Sequence, residues 1–415
     1  MRRYRILSLD GGGTWALLQV MALQKLYGET ARGHDVLKKF HLVAAKSGGS
    51  ITLGGLIENK TLDELLAGYF LDEHQRRKIF VDASFWKDPG NVSLQHLLGV
   101  GAKYDAAAKL AGLEELLPQY GGVQVAEVPA RLRESAGASP DFLICAFDYD
   151  RRRATFFRSN WRSRAASAAR PPAASLAEAI HASTNAPVNY FDEPAAVADR
   201  RFWDGAISGY NNPILAAVVE ALANGCAPGE IQALSIGTGT VFLPLARDAP
   251  NADPNLVQPL ESSNIKHDLG ELASSILDDP PDAASFIAHV ALGQRLPGAD
   301  DPPPVSGSLI RMSPMIQPLR AAETAPWTPP KEFTAAEFDT LAHLDMDAVD
   351  PKKVDYVVRL GKAWLSDDVP NQPIRMNGTT MACEIGHARF GLAKTAWDAL
   401  AASGGGQDDD TGPMV

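Results

Sequence analysis

Tyr4-Arg5-Ile6-Leu7-Ser8-Leu9-Asp10-Gly11-Gly12-Gly13 and Phe40-His41-Leu42-Val43-Ala44-Ala45-Lys46-Ser47-Gly48-Gly49-Ser50 decide how this chain is read. Each is a short apolar run that ends on glycine, and each passes into a helical pattern. Leu17, Leu18, Met21, Leu23 and Leu26 recur at helical spacing between Trp15 and Tyr27, and Ile51 to Asn59 continues the second stretch. A repeated order of strand, tight turn and helix predicts a parallel sheet with crossover helices. The chemistry would sit in the turns. Three successive glycines let a backbone approach a ligand closely and gather N–H groups at a helix start, which suits an oxyanion or a phosphate. Ser47 stands where a sharp strand-to-helix turn would expose its hydroxyl as a nucleophile. Ala45 to Gly49 fits the G-x-S-x-G pattern except that Ala45 replaces the first glycine. The plainer role for such a serine, capping the helix, suits Ser50 better than Ser47.

Further along, Thr61-Leu62-Asp63-Glu64 reads as a capping box. Residues 75–135 look mostly helical. Asp141 to Phe147 and Ala154 to Phe157 read as a strand pair, and Ser175 to Ala182 as a helix running into Ser183-Thr184-Asn185-Ala186-Pro187. Phe202-Trp203-Asp204-Gly205 ends a short strand, Pro213 to Ala223 is a helix, and Ile231 to Ile236 a buried strand. After about residue 243 prolines crowd the sequence. The expectation is a core over residues 1–243, a helical, proline-rich part of the same domain over 244–402, and a disordered Gly- and Asp-rich tail over 403–415.

The chain has 415 residues, 45% of them hydrophobic and 21% charged, which fits a globular enzyme with a large core. A net charge of −11 argues against general nucleic-acid affinity. The basic run of Arg151-Arg152-Arg153 with Arg158, Arg162 and Arg164 reads as a solvated loop and strand edge. Cys145, Cys226 and Cys383 form no metal-ligand or disulfide pattern, and no stretch is long enough to span a membrane. The simplest location is cytoplasmic, peripheral at a membrane where its substrate requires it; a secreted effector fits the sequence as well.

A serine hydroxyl needs a base. Asp204, at a strand end before Gly205-Ala206 and Asn211-Asn212-Pro213, can face a pocket; an ordinary Asp-Gly turn is the other reading. His181, on a helix, and His267, His289, His343 and His387 carry no pattern that marks a triad partner, so a Ser-Asp dyad fits better than a triad.

Taken in order, these pieces resemble the patatin-like phospholipase family. Leu7 to Gly13 resembles its oxyanion loop and Phe40 to Gly49 its nucleophile elbow. Gly101-Ala102-Lys103-Tyr104-Asp105 and Leu113-Glu114-Glu115-Leu116 resemble the segment between elbow and central strands, and Ala186-Pro187 with Tyr190-Phe191 its alanine-proline helix end. Asp204-Gly205-Ala206 with Asn211-Asn212-Pro213 resembles its catalytic Asp motif, and Leu234 to Gly239 its late strand and glycine turn. The resemblance implies a three-layer α/β/α fold with a mostly parallel central sheet and, here, a helical C-terminal cap. It implies hydrolysis of lipid acyl esters with Ser47 as nucleophile, Asp204 as base and the N–H groups of Gly11, Gly12 and Gly13 as oxyanion donors. No metal or cofactor is implied; the partner is a phospholipid, met peripherally at the membrane, and a protein activator is left open.

Three positions depart from the family. Trp15 stands where it usually has Arg or Lys, Ala45 replaces a glycine, and Lys46 replaces a small hydroxyl residue. Trp15, Lys46 and Gly48 are therefore expected to touch substrate, with Lys46 at the site mouth drawing an anionic headgroup. A non-catalytic lipid- or protein-binding module is the alternative. A kinase of the sugar-kinase and actin-like fold would use Asp10 to Thr14 and Gly237 to Thr240 as phosphate loops, but needs a strand hairpin after the first.

Overall fold

The computed structural model describes residues 3–79, 105–160, 173–187, 191, 193–259, 282–295, 307–322, 324–345, 347–372, 374–376 and 383–402. The 101–104 stretch, Tyr190, Arg162, Arg164, His267 and the 403–415 tail lie outside these residues.

The first apolar run is strand β1 (Tyr4–Leu9); the glycines lead through a single 3-10 turn, Gly13–Ala16, into helix α1 (Leu17–Tyr27). The second run is β2 (Leu42–Lys46), which leads into α2 (Gly48–Ile57). Both strands are four or more residues of apolar side chain flanked by chain reversals, and every residue of β2 is buried, as a strand covered on both faces must be. A phosphate-loop kinase requires a strand hairpin after the first glycines; here the chain enters the helix α1 instead.

Helix α3 (Ala106–Leu116), strands β3 (Asp141–Asp148) and β4 (Arg153–Arg158), helix α4 (Leu176–Ser183), strands β5 (Ala195–Val197) and β6 (Arg200–Asp204), helix α5 (Ile214–Ala223) and strand β7 (Ile231–Ile236) come next. The Thr61 and Ser175 capping boxes form with both hydrogen bonds in place. In the C-terminal part, β8 (Leu309–Met312) adds a strand to the central sheet, and α6 (Pro351–Leu365) and α7 (Phe390–Ala402) pack beside it. That part is thus built into the sheet rather than only laid over it as a helical cap. The short run Leu309–Met312 carries no periodicity that separates it from a buried helical turn.

Among the described residues the sheet has eight strands in the order β5-β6-β3-β2-β1-β7-β8, with β4 also on β3. The pairings β3-β2, β2-β1, β1-β7 and β7-β8 are parallel; β4 and β6 on β3, and β5 on β6, are antiparallel. One face is covered by α1, α2, α4 and α6, with Leu17, Leu53, Ile180 and Leu360 in the larger core. The other face is covered by α5 and a helix over 282–291, with Ile214, Val218, Phe286 and Ala288 in a second core. Helices on both faces of a mostly parallel sheet give the three layers expected.

Register puts the site where it is. Strand β2 pairs with Asp141 to Cys145 of β3, and β6 with Ala146 to Asp148. Strand β4 spans Leu143 to Asp148, overlapping both partners, so it must hold the opposite edge. Strands β2 and β6 therefore share one edge of β3 and run head to head, and their last residues, Lys46 and Asp204, meet.

Candidate active site

Ser47 comes directly after Lys46, at φ 48° and ψ −124°, a conformation that L side chains rarely hold. The turn is held from three sides. Ser47 N–H donates to Ser183 Oγ at 2.9 Å, and Ser183 Oγ donates to the Cys145 carbonyl at 2.6 Å. Gly49 N–H donates to the Asp10 carbonyl at 3.1 Å. A Cβ at Gly49 would strike the Leu9 carbonyl oxygen and sit 2.6 Å from that of Asp10, so glycine is what lets elbow and glycine turn interlock. The Ser47 side chain caps nothing, and its hydroxyl has no hydrogen-bond partner among the described residues. Ser50 does not cap either; its hydroxyl donates back to the Ser47 carbonyl at 2.6 Å.

Of the three glycines, Gly12 and Gly13 have positive φ, and their N–H groups have no acceptor among the described residues. Gly48 opens α2, so its N–H has no acceptor within the helix. The expectation for Gly11 is corrected: its N–H donates to the Asn211 carbonyl at 2.9 Å and is not free to meet a substrate oxygen.

Asp204 is buried beside the serine turn. Its backbone N–H donates to the Asn185 carbonyl at 2.9 Å, and its Oδ1 accepts from Ala206 N–H at 2.8 Å. Asn185 is pinned in turn by Lys109 on α3, whose Nζ donates to Asn185 Oδ1 at 2.7 Å and to the His181 carbonyl at 3.2 Å. Lys109 is fully buried, with Nζ 3.9 Å from the centre of the Phe191 ring. Burial drives its pKa well below the ordinary lysine value, opposed by the Asp204 charge.

Ser47 and Asp204 line one narrow cleft with Gly13, Gly48, Ile51, Ile79, Thr184, Ala186, Phe191 and Asp347. Its volume is about 30 Å³, enough to hold a water molecule. No hydrogen bond joins Ser47 Oγ to Asp204 among the described residues. No histidine among the described residues lines the cleft. His181 is buried nearby, and burial, then the Lys109 charge, push its pKa down to about 2.

Two expected contacts fall elsewhere. Lys46 is not at the mouth: it is 1% exposed, and its Nζ lies 2.6 Å from Asp204 Oδ1 and 3.0 Å from Asn211 Oδ1. Trp15 is buried outside the cleft lining, its indole N–H 3.4 Å from the Asp345 carbonyl, so it joins the glycine turn to the C-terminal part. Gly48 does line the cleft. Ser183, Asn185, Lys109 and Asp347 were not singled out from the sequence for the site. Ser183 and Asn185 lie in a stretch legible only as a helix end, and nothing near Lys109 or Asp347 distinguishes them from surface charges.

A mostly parallel sheet carrying a strained serine turn against a glycine turn defines a class of α/β fold. Within it, this chain belongs to the patatin-like phospholipase family, whose model matches residues 7–218. Membership supports lipid acyl hydrolysis in general. Among solved structures, VipD from Legionella pneumophila is similar at 12% identity and a TM-score of 0.34, over 87% of this chain and 67% of that one. The type III effector protein ExoU is similar at 15% identity and a TM-score of 0.26, over 70% of this chain and 53% of that one. Comparison with curated proteins finds no match. No helix among the described residues is long and apolar enough to cross a membrane.

Proposed function

We propose that this protein hydrolyses carboxylic esters of glycerophospholipids through Ser47 and Asp204. The observation that carries the reading is the meeting of β2 and β6 on one edge of β3, which brings a strained serine and a buried carboxylate into a single cleft. Ser47 Oγ attacks the ester carbon, its proton passes to Asp204 Oδ2, and the carbonyl electron pair moves onto oxygen, where the N–H groups of Gly12, Gly13 and Gly48 receive it. Collapse of this intermediate expels the lipid alcohol, which takes the proton from Asp204. Water then attacks the acyl-enzyme, giving its proton to Asp204, and Ser47 leaves as the alcohol by recovering that proton. The cleft has room for that water. The substrate is met at the bilayer surface, by peripheral contact.

The test is hydrolysis of a p-nitrophenyl ester and of mixed phospholipid vesicles by wild type, Ser47→Ala and Asp204→Ala. Wild type turns over both, and each variant, still folded, loses at least ~10³-fold in kcat. A folded wild type that is silent on both substrates would replace this reading with the binding module.

A further inference from the structure

The first glycine of the Gly11-Gly12-Gly13 turn donates its N–H to Asn211, so the oxyanion reading leaves it unexplained. Its missing side chain has a different explanation. A Cβ at Gly11 would lie 2.5 Å from Lys46 Nζ and 2.6 Å from Lys46 Cδ, and would also strike Asn211 Oδ1. Gly11 vacates the space that the lysine fills. The Lys46 ammonium is thereby wedged between the glycine turn and the carboxylate at the end of β6.

We infer that Lys46 is the positioning residue for Asp204: it holds one carboxylate oxygen so that the other is presented to Ser47. The inference rests on the Ser47–Asp204 dyad proposed above. Asp204 Oδ1 lies 2.6 Å from Lys46 Nζ and accepts from Ala206 N–H at 2.8 Å. Oδ2 accepts no hydrogen bond among the described residues. A carboxylate held by one oxygen at two points cannot rotate its free oxygen away without breaking both. Asn211 Oδ1, 3.0 Å from Nζ, keeps the lysine from swinging back.

Stability alone does not account for this pair. Removing two charges from water costs several kcal/mol each, and well-packed apolar residues of similar volume often serve as well or better. The pair's ends are 2% and 5% exposed, and it lies beside the proposed nucleophile. The charges also suit the reaction. At rest the pair is neutral. When Asp204 takes the serine proton, the negative charge moves to the substrate oxygen at the Gly12–Gly13 turn, while the lysine cation stays against Gly11, the adjoining residue.

The experiment compares kcat and KM on a soluble p-nitrophenyl ester for wild type, Lys46→Met, Lys46→Gln, Asp204→Asn and the Lys46→Met/Asp204→Asn double variant, with urea midpoints as the folding control. Lys46→Met should lower kcat ~10²-fold with KM within about twofold. Lys46→Gln, which keeps a donor for Oδ1, should fall between it and wild type, and it replaces the methionine variant if that chain does not fold. Against Asp204→Asn, adding Lys46→Met should change the residual rate by less than about threefold, because the lysine acts through the carboxylate. Loss of activity in the lysine variants through KM alone, a kcat within about threefold of wild type, or a full additive loss in the Asp204→Asn background would each overturn the inference. Fluorophosphonate labelling separates the two levels. A wild type that neither hydrolyses nor labels at Ser47 sinks the dyad and the inference with it. A wild type that labels no faster than Lys46→Met sinks only the inference.

Discussion

Two buried ion pairs stand at the carboxyl ends of neighbouring strands in this sheet, and they differ in what surrounds them. Lys46–Asp204 lies beside the cleft, at 2.6 Å, with Asn211 and Ala206 completing the bonds around it. Asp10–Arg311 joins the end of β1 to β8, also at 2.6 Å, and lies outside the cleft lining. Arg311 donates onward to Ser235 Oγ at 2.8 Å, but Asp10 Oδ1 has no hydrogen-bond partner among the described residues. Burial outweighs Arg311 there and raises the Asp10 carboxyl to about 6. The Asp10 pair thus ties the C-terminal part to the strand that carries the glycine turn, whereas the Asp204 pair places its charges next to the serine. Similar chemistry a strand apart serves architecture in one place and, on the proposed mechanism, positioning in the other.

If that contrast is right, the two pairs should fail differently. Arg311→Met leaves Asp10 buried without its cation and should cost about 3–5 kcal/mol in urea unfolding, while Asp10→Asn/Arg311→Met should recover most of that loss and keep ester hydrolysis within about tenfold of wild type. A double variant that folds like wild type yet loses activity as fully as Asp204→Ala would erase the distinction. Next in size is Gly49→Ala. Its Cβ meets backbone oxygens that cannot step aside, so roughly 1–3 kcal/mol of stability and most of the activity should go together. Retained activity in a destabilised chain would show that the elbow does not depend on its contact with the glycine turn.

The smallest effect is in pH dependence. Asp10 in the folded chain holds its proton up to about 6, above the ordinary 3.8, so its contribution is present below pH ~4 and lost as pH rises toward 6. His181, held down to about 2 against an ordinary 6.5, has the opposite sign: its contribution is present above pH ~6.5 and lost as pH falls. Between pH 4 and 6 the two oppose each other with slopes on the order of 1 kcal/mol per pH unit. Urea midpoints across that window should therefore tilt one way in Asp10→Asn and the other way in His181→Leu, relative to wild type. Parallel profiles for both variants would mean that neither group titrates as its burial dictates.

Much of the frame was legible because local signals agreed with one another. The apolar runs of β1 and β2, the glycines after them, the Thr61 cap and the β3–β4 pair can all be read from periodicity and turn chemistry over a few residues. Lys46 shows where such reasoning stops. Strand alternation says which face a side chain takes, and a charged residue at a strand end is most often solvated. Nothing local to Lys46 announces that β6 arrives head-on and seals it against Asp204. Arg311 is similar: a cation inside Leu309–Met312 makes sense only once β8 is seen in register with β7, reaching Asp10 on the strand beyond. Ser183, Asn185 and Lys109 support the site through backbone oxygens, a hydroxyl and a side-chain amide, contacts that leave no pattern in sequence.

Whether the gap between β2 and β6 is an active site is tested most directly by intact-mass and peptide analysis after treatment with a fluorophosphonate probe. One adduct is predicted, on Ser47, formed by the wild-type chain and lost in folded Asp204→Ala. An unlabelled wild type, or an adduct on another serine such as Ser50 or Ser183, would contradict it.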